Sequence, residues 1–394
     1  MSGPSVGVIG GGEPATVDRA GTLSLAGAGW TCEWWIGADD RWRLPVHEVA
    51  VRQQRVANVP VVETVMRVPG GDAVQRVYGA AVPGRPIVME IENRSPAPFV
   101  AAIVVRGATR VAASGPHVVV DRAFALSWVR APSRWACTVG TPVQMPVVTG
   151  RAETGVLPDS RDRAGRIEVA LLHPVAHRTT LRMAITRAKG APAVDVRTLP
   201  DAGAVVAGWR RMLDRGMQVQ LPDRALEARL RAARAEVLLR GQGARPAPAV
   251  VAALEDWGFD DEAAGAWRRL GTRARRQAAL RPPPGSWAEL DRVTDDADLL
   301  VAARRLLVDD RRDSTTVVLL SDHPEVWRGQ PVEVRDAPVR GGTLSFAVRW
   351  HGARPALLWD GPGGMRVRIP RLDPAWETDA AAGEVLLGPA AGAA

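Results

Sequence analysis

Leu221-Pro222-Asp223-Arg224-Ala225-Leu226-Glu227-Ala228-Arg229-Leu230 opens a stretch that runs to Asp310 and is the one sizeable block with helical periodicity. Leu226, Leu230, Ala233 and Val237 recur at spacings of four, three and four, while Arg224, Glu227, Arg231 and Arg234 fall elsewhere, which predicts an amphipathic helix. Pro222 and Asp223 suit its start, and Gly241 and Gly243 stop it. A second helix is predicted after Pro248, with Val250, Val251, Leu254 and Trp257 inward and Gly258 as its stop. A third follows Phe259-Asp260-Asp261 and places Ala264, Trp267 and Leu270 on one side. Pro282-Pro283-Pro284-Gly285 breaks the chain, Ser286-Trp287-Ala288-Glu289 reads as a capping box, and Thr294 is positioned to cap a last helix through Leu307. The expected count is five helices joined as antiparallel hairpins.

Strand-like sequence lies on both sides of this block. From Thr22 to about Ile185, short alternating segments separated by Gly/Pro turns predict an antiparallel β-sandwich. Ile87, Met89 and Ile91, for example, alternate with Val88, Glu90 and Glu92. Residues 1–20 read as a flexible lead-in. Within them Gly10-Gly11-Gly12-Glu13-Pro14-Ala15 fits a G-x-G-x-x-A nucleotide fingerprint, but no helix pattern follows, and a βαβ unit needs one. Residues 201–222 read as a linker helix and short strand anchored by Trp209 and Leu213. The pattern at 313–383 is again β, as in Leu344, Phe346, Val348 and Trp350, and 384–394 is an Ala/Gly-rich tail expected to fray. The fold class is therefore α+β: a β-sandwich over 21–200, a shortened helical-hairpin domain over 223–312, and a small C-terminal β unit.

A chain of 394 residues can bury a large core. No apolar run approaches the roughly 20 residues a bilayer span needs, so no membrane partner is expected. The start Met1-Ser2-Gly3-Pro4 lacks the pattern of a signal peptide, and a cytoplasmic location is the expectation. In that setting Cys32 and Cys137 read as free thiols rather than a pair. The net charge of +8 comes from arginines spread along the chain, densest at Arg268–Arg276, with Lys189 the sole lysine. Nucleic-acid binding wants a concentrated patch, so a solvated arginine-rich surface is expected instead.

Several stretches carry a resemblance. Trp209-Arg210-Arg211-Met212-Leu213-Asp214-Arg215-Gly216, running into Val219-Gln220-Leu221-Pro222-Asp223, resembles the sandwich-to-barrel junction of glucoamylase-like and debranching-type glycosidases. Ala253 to Ala264 is similar to one of their hairpin turns. Leu299–Val308 with Pro324-Glu325-Val326-Trp327 and Ser345 to Gly352 is similar to the tail that closes them. The resemblance implies an N-terminal sandwich and an (α/α)6 barrel with a general acid and base on loops between hairpins. Such a barrel needs twelve helices, and this chain supplies about half. The acid's usual setting, a carboxylate beside a tryptophan, has its nearest match in Glu255-Asp256-Trp257 at a helix end.

No residue can be assigned as catalytic from the sequence. Carboxylates abound, as at Asp295, Asp296 and Asp298, but a helix start explains those. His173 and His177 stand four apart on strand-like sequence, and no Glu completes a zinc motif. Neither a metal nor a cofactor is expected. Ser314 and His323 lack the nucleophile-elbow context of a triad. Fourteen tryptophans stand out against one tyrosine. Trp34, Trp35 and Trp42 cluster in one hairpin, and the two adjacent rings must face opposite sides of a strand. An outward indole would stack on a sugar or seal an interface. The candidate substrate contacts are thus Trp34, Trp35, Trp42, Glu255, Asp256 and Trp257. The leading expectation is a glycosidase-like protein without catalysis, serving as a carbohydrate-binding or assembly module. One alternative is an active hydrolase of α-glucosides; another is an arginine-mediated binder of nucleic acid or an acidic partner. An open half-barrel would also expose apolar helix faces, which predicts a homo-oligomer (a dimer) or packing of those faces against the sandwich.

Overall fold

The computed structural model describes residues 3–114, 117–187, 194–243, 245–271, 286–310 and 315–388. The Pro282–Gly285 break, residues 272–276 of the arginine-rich run, Ser314 and the last six residues of the tail lie outside them. The fold is α+β, and the chain divides into two compact units, Met1–Gly208 and Trp209–Ala394.

The first unit is a sandwich of two antiparallel sheets. One has eight strands, with Thr31–Gly37, Phe99–Ala108, Ile167–Val175 and Arg134–Val139 at its centre and far edge. The other has nine, including Phe124–Trp128, Thr180–Arg187, Ile87–Asn93, Gly71–Gly79 and Val61–Val68 as consecutive neighbours. Alternation fills the space between them: Val77, Met89, Ile91, Met183 and Ile185 meet Trp34, Ile103, Val105 and Leu171 in one core.

The lead-in is not a loose segment. Ser5–Val6 and Ala15–Val17 are paired strands of the first sheet, and Val6, Ala15 and Val17 belong to the core. Their apolar area is what orders them. The triple glycine is the turn of this hairpin, so no helix follows it and the nucleotide fingerprint has no βαβ context. Gly21 then passes so close to Gln75 Oε1 that an added Cβ would stand 2.2 Å away, and its φ is +84°. Glycine is the residue that meets both demands.

In the second unit the helices run Arg224–Arg240, Pro248–Asp256, Asp260–Arg269, Trp287–Leu290 and Asp296–Leu307. Asp223 caps the first through Leu226 N at 2.9 Å. Two start signals resolve differently from the sequence expectation. The Ser286 hydroxyl makes no cap bond; Asp322 Oδ2 takes the Trp287 N–H at 3.0 Å. The last helix is capped by Asp295 rather than Thr294, its Oδ1 accepting from Ala297 N and Asp298 N. The third helix buries Ala263 and Ala266 in place of Ala264, a shift of one position around the axis.

These helices share their unit with a five-stranded antiparallel sheet and a four-stranded one. In the latter, Thr316–Leu319 and Arg366–Ile369 pair in parallel. Arg304, buried on the last helix, donates to Val308 O and Pro338 O, tying the helices to the larger sheet. Within the unit the last helix packs against the first and the second, and Leu230, Leu254, Trp257, Leu299, Leu300 and Leu307 are buried. The strand Ala382–Leu386 pairs with Arg354–Asp360, so the start of the expected frayed tail is ordered. Among the described residues no helix is long and apolar enough to cross a membrane.

Candidate functional site

Trp34 and Trp35 face opposite sides of the strand Thr31–Gly37, as the period of two requires. Trp34 enters the core between the sheets, its Nε1 donating to Ala20 O at 3.0 Å. Trp35 enters a second apolar cluster on the outer face of the first sheet, its Nε1 donating to Glu33 Oε2 at 3.1 Å. Each is 1% exposed, so neither presents a ring face to a sugar. Trp42 is half-buried and lies over Gly37, where a Cβ would stand 2.9 Å from its indole.

Glu255, Asp256 and Trp257 end a helix of the second unit. Trp257 is 0% exposed; its Nε1 donates to Leu300 O at 2.9 Å, and the Arg234 guanidinium lies 5.3 Å from its ring centroid. Arg234 is itself buried, which pushes its pKa down to about 10, and its Nη1 donates to Met217 O at 2.7 Å. Glu255 is exposed and accepts from Trp267 Nε1; Asp256 is half-buried. The ring of this trio therefore packs the interior, and Glu255 is engaged at the surface. His173 and His177 part company: the first is buried between the sheets, and the second donates through Nδ1 to Ser95 O at 2.6 Å. Among the described residues no group of three or more His, Cys, Asp and Glu is placed to hold a metal. Cys32 and Cys137 are free, and burial pushes the Cys32 thiol up to about 12.

Charge concentrates elsewhere, on the outer face of the nine-stranded sheet in the first unit. A cleft of about 730 Å³ opens there. Its floor is a cross-strand ladder: Glu63 stands opposite Arg76, Arg76 opposite Glu90, and Glu90 opposite Arg182. Each strand puts alternate residues inward to the core, so the intervening positions carry these charges outward. Arg76 Nε lies 2.9 Å from Glu63 Oε2, and its Nη1 lies 2.9 Å from Glu92 Oε2. Arg94 Nη2 adds a second partner to Glu92 at 2.8 Å. The Arg94 hydrogen bond is the chief cause holding the Glu92 carboxyl below the usual range, and Arg76 adds to it against a cost of burial.

Glu90 is the innermost of these carboxylates. Arg182 Nε and Nη2 donate to its Oε1 at 2.9 and 2.6 Å, and the Tyr78 hydroxyl donates to the same oxygen at 2.8 Å. Burial, then the Glu90 charge, pushes the Tyr78 pKa well up, so the phenol stays a donor. The facing wall comes from residues 196–206, with Val196, Arg197, Asp201 and Val206 on the lining. It is pinned to the floor at consecutive carbonyls: Leu199 O accepts from Arg182 Nη1 at 3.2 Å, and Pro200 O lies 3.1 Å from the Tyr78 hydroxyl. Asp201 Oδ1 accepts from Ala204 N at 2.7 Å and starts the helix Ala202–Leu213. Arg197 is paired with Asp195 at 2.9 Å.

The chain matches no protein-family model and no curated protein. The cleft was not among the residues singled out from the sequence. Its signal was present in the alternation of Val88, Glu90 and Glu92 with apolar neighbours. Recognising it needed the strand pairing, because Arg182 lies 92 residues from Glu90.

Proposed function

We propose that this protein is a non-catalytic carbohydrate-binding module of glycosidase-like architecture, with its ligand seated in the outer-face cleft of the sandwich. One observation supports this most: each of the four acidic side chains lining the cleft already has a donor from the protein itself. Glu63 has Arg76, Glu90 has Arg182 and Tyr78, Glu92 has Arg76 and Arg94, and Asp201 has the Ala204 N–H. Carboxylates held this way are fixed acceptors. A glycosidase acid must instead carry a proton at working pH, which calls for a raised pKa. A small number of positioned donors and acceptors beside apolar surface, here Val56, Val129, Val196 and Val206, suits a polyhydroxylated ligand. The same pairing weighs against an arginine-mediated acidic partner, since Arg76, Arg182 and Arg197 are each neutralised.

The test joins binding with turnover. Titration calorimetry against a neutral oligosaccharide panel is expected to detect binding, and the same panel of α-glucosides is expected to stay intact. Val129→Arg, placed at an exposed position of the cleft lining (54% exposed), is expected to abolish binding. Hydrolysis that disappears in Asp256→Asn or Glu255→Gln would restore the active-hydrolase reading.

A further inference from the structure

The charge pattern of the cleft floor limits what kind of sugar it suits. Along the four strands the outward charges alternate as Glu63, Arg76, Glu90 and Arg182, each directly opposite the next. A uronic acid entering this site needs a guanidinium to itself. To obtain one it must displace a carboxylate that is already paired, leaving that carboxylate desolvated and alone. An amino sugar faces the mirror problem, since the carboxylates it would bond are occupied by arginines that repel it. A hydroxyl asks for less: one spare lone pair or N–H, with no change in the charge of the site.

Glu90 is the group best built to supply it. It is 4% exposed, and its three side-chain donors, two from Arg182 and one from Tyr78, all converge on Oε1. The opposite carboxylate oxygen receives none of them. Anchoring on one side fixes the carboxylate in place before a ligand arrives, which is the condition for a discriminating contact.

We propose that the cleft selects uncharged sugars over acidic and amino sugars, and that Glu90 is the specificity-determining residue, its Oε2 accepting a ligand hydroxyl while its charge cancels that of Arg182. This rests on the carbohydrate reading above. Replacing Glu90 by Gln keeps the shape and removes the charge, so Arg182 becomes available to an acid. The variant should lose affinity for neutral sugars and gain it for uronates, a change of preference that simple loosening of the fold would not produce.

The experiment uses the full chain and calorimetric titration with neutral gluco-, manno- and galacto-configured trisaccharides, a galacturonate trimer and a glucosamine trimer. At least one neutral trisaccharide is expected to bind roughly tenfold or more tightly than either charged trimer. Glu90→Gln is expected to cut the neutral-over-uronate preference by about tenfold. Should that variant fail to fold, Glu92→Gln, two residues further along the Glu90 strand and paired with Arg76, is expected to shift preference in the same direction by a smaller factor. A charged trimer that binds the native chain as tightly as the neutral ones overturns this inference and leaves the carbohydrate reading standing. Unchanged preference in a folded Glu90→Gln chain overturns the role of Glu90. No binding by any of the five sugars overturns the carbohydrate reading, and the selectivity with it.

Discussion

The two outer faces of the sandwich put the same kind of surface to different uses. On the eight-stranded sheet, Trp35, Ala102, Val104, Ala170 and Leu172 are roofed by Leu44, Val143 and Val147, the last on the short helix Gln144–Val148. Even the charges there serve the roof. Arg106 bridges Glu33 and Glu168, and Glu168 Oε2 accepts the Val143 N–H at 2.9 Å, which holds the cover in place. On the nine-stranded sheet the charges line an open cleft instead, and at its edge the half-exposed Arg94 pairs with Glu92 where solvent screening leaves the pair little stability to contribute. The closed face therefore carries stability, and the cleft face is free to be shaped by a ligand.

The strongest way to break this contrast is Trp35→Ala. Removing a fully buried indole from the roofed face should cost about 3–5 kcal/mol in denaturant unfolding, transfer and cavity terms together. A loss below about 1 kcal/mol would mean the roof contributes little, and the two faces would not differ as argued. Sugar binding in the cleft should persist wherever the variant remains folded.

The next effect comes from the interior that both faces share. His173 stacks on Trp128 with ring centroids 5.2 Å apart, its Nε2 is buried without a hydrogen-bond partner, and burial pushes its pKa down to about 4 from an ordinary 6.5. The unfolded chain therefore binds the proton more readily than the folded one. Stability is complete above about pH 6.5, falls as pH drops, and levels off below about pH 4, with a total loss on the order of 3 kcal/mol from this group. His173→Phe keeps an aromatic ring against Trp128 and should remove that part of the acid sensitivity. The readout is the difference between native and variant unfolding free energies across pH 4–7. A difference that stays flat would show that the imidazole is solvated.

Much of this fold was legible because local patterns dictate it. Helix periodicity from Leu226 to Leu307 located the five helices seen there among the described residues, and adjacent Trp34 and Trp35 could only part to opposite faces. What escaped the sequence was set by distant partners. Ser286 has the composition of a cap, yet Asp322 supplies the bond. Residues 5–17 look like a loose start, yet Val6 and Val17 find a core built from strands far along the chain. The cleft was hidden for the same reason. Glu63, Arg76, Glu90 and Arg182 are unremarkable as separate residues and become a ladder only when four strands align.

The smallest effect is the sharpest test of that ladder. Arg94 is half-exposed at its edge and bonds Glu92, so Arg94→Ala should alter stability by no more than about 0.5 kcal/mol. The electrostatics should respond nonetheless, because the Arg94 bond is the largest reason the Glu92 carboxyl sits below its usual range. With Arg94 gone, Arg76 still holds Glu92 at 2.9 Å, so the carboxyl should rise only part of the way back. A depressed carboxyl lends stability above its unfolded pKa and loses it as pH falls through the folded one, so in the variant that loss is smaller and is complete at a higher pH. Carbon-detected titration of the Glu92 carboxyl measures the rise directly. If it does not move, the Arg94–Glu92 pair is not maintained in solution, Arg94 is available to anions, and the charge compensation of this face stops short of its edge, at the pairs of Arg76 and Arg182.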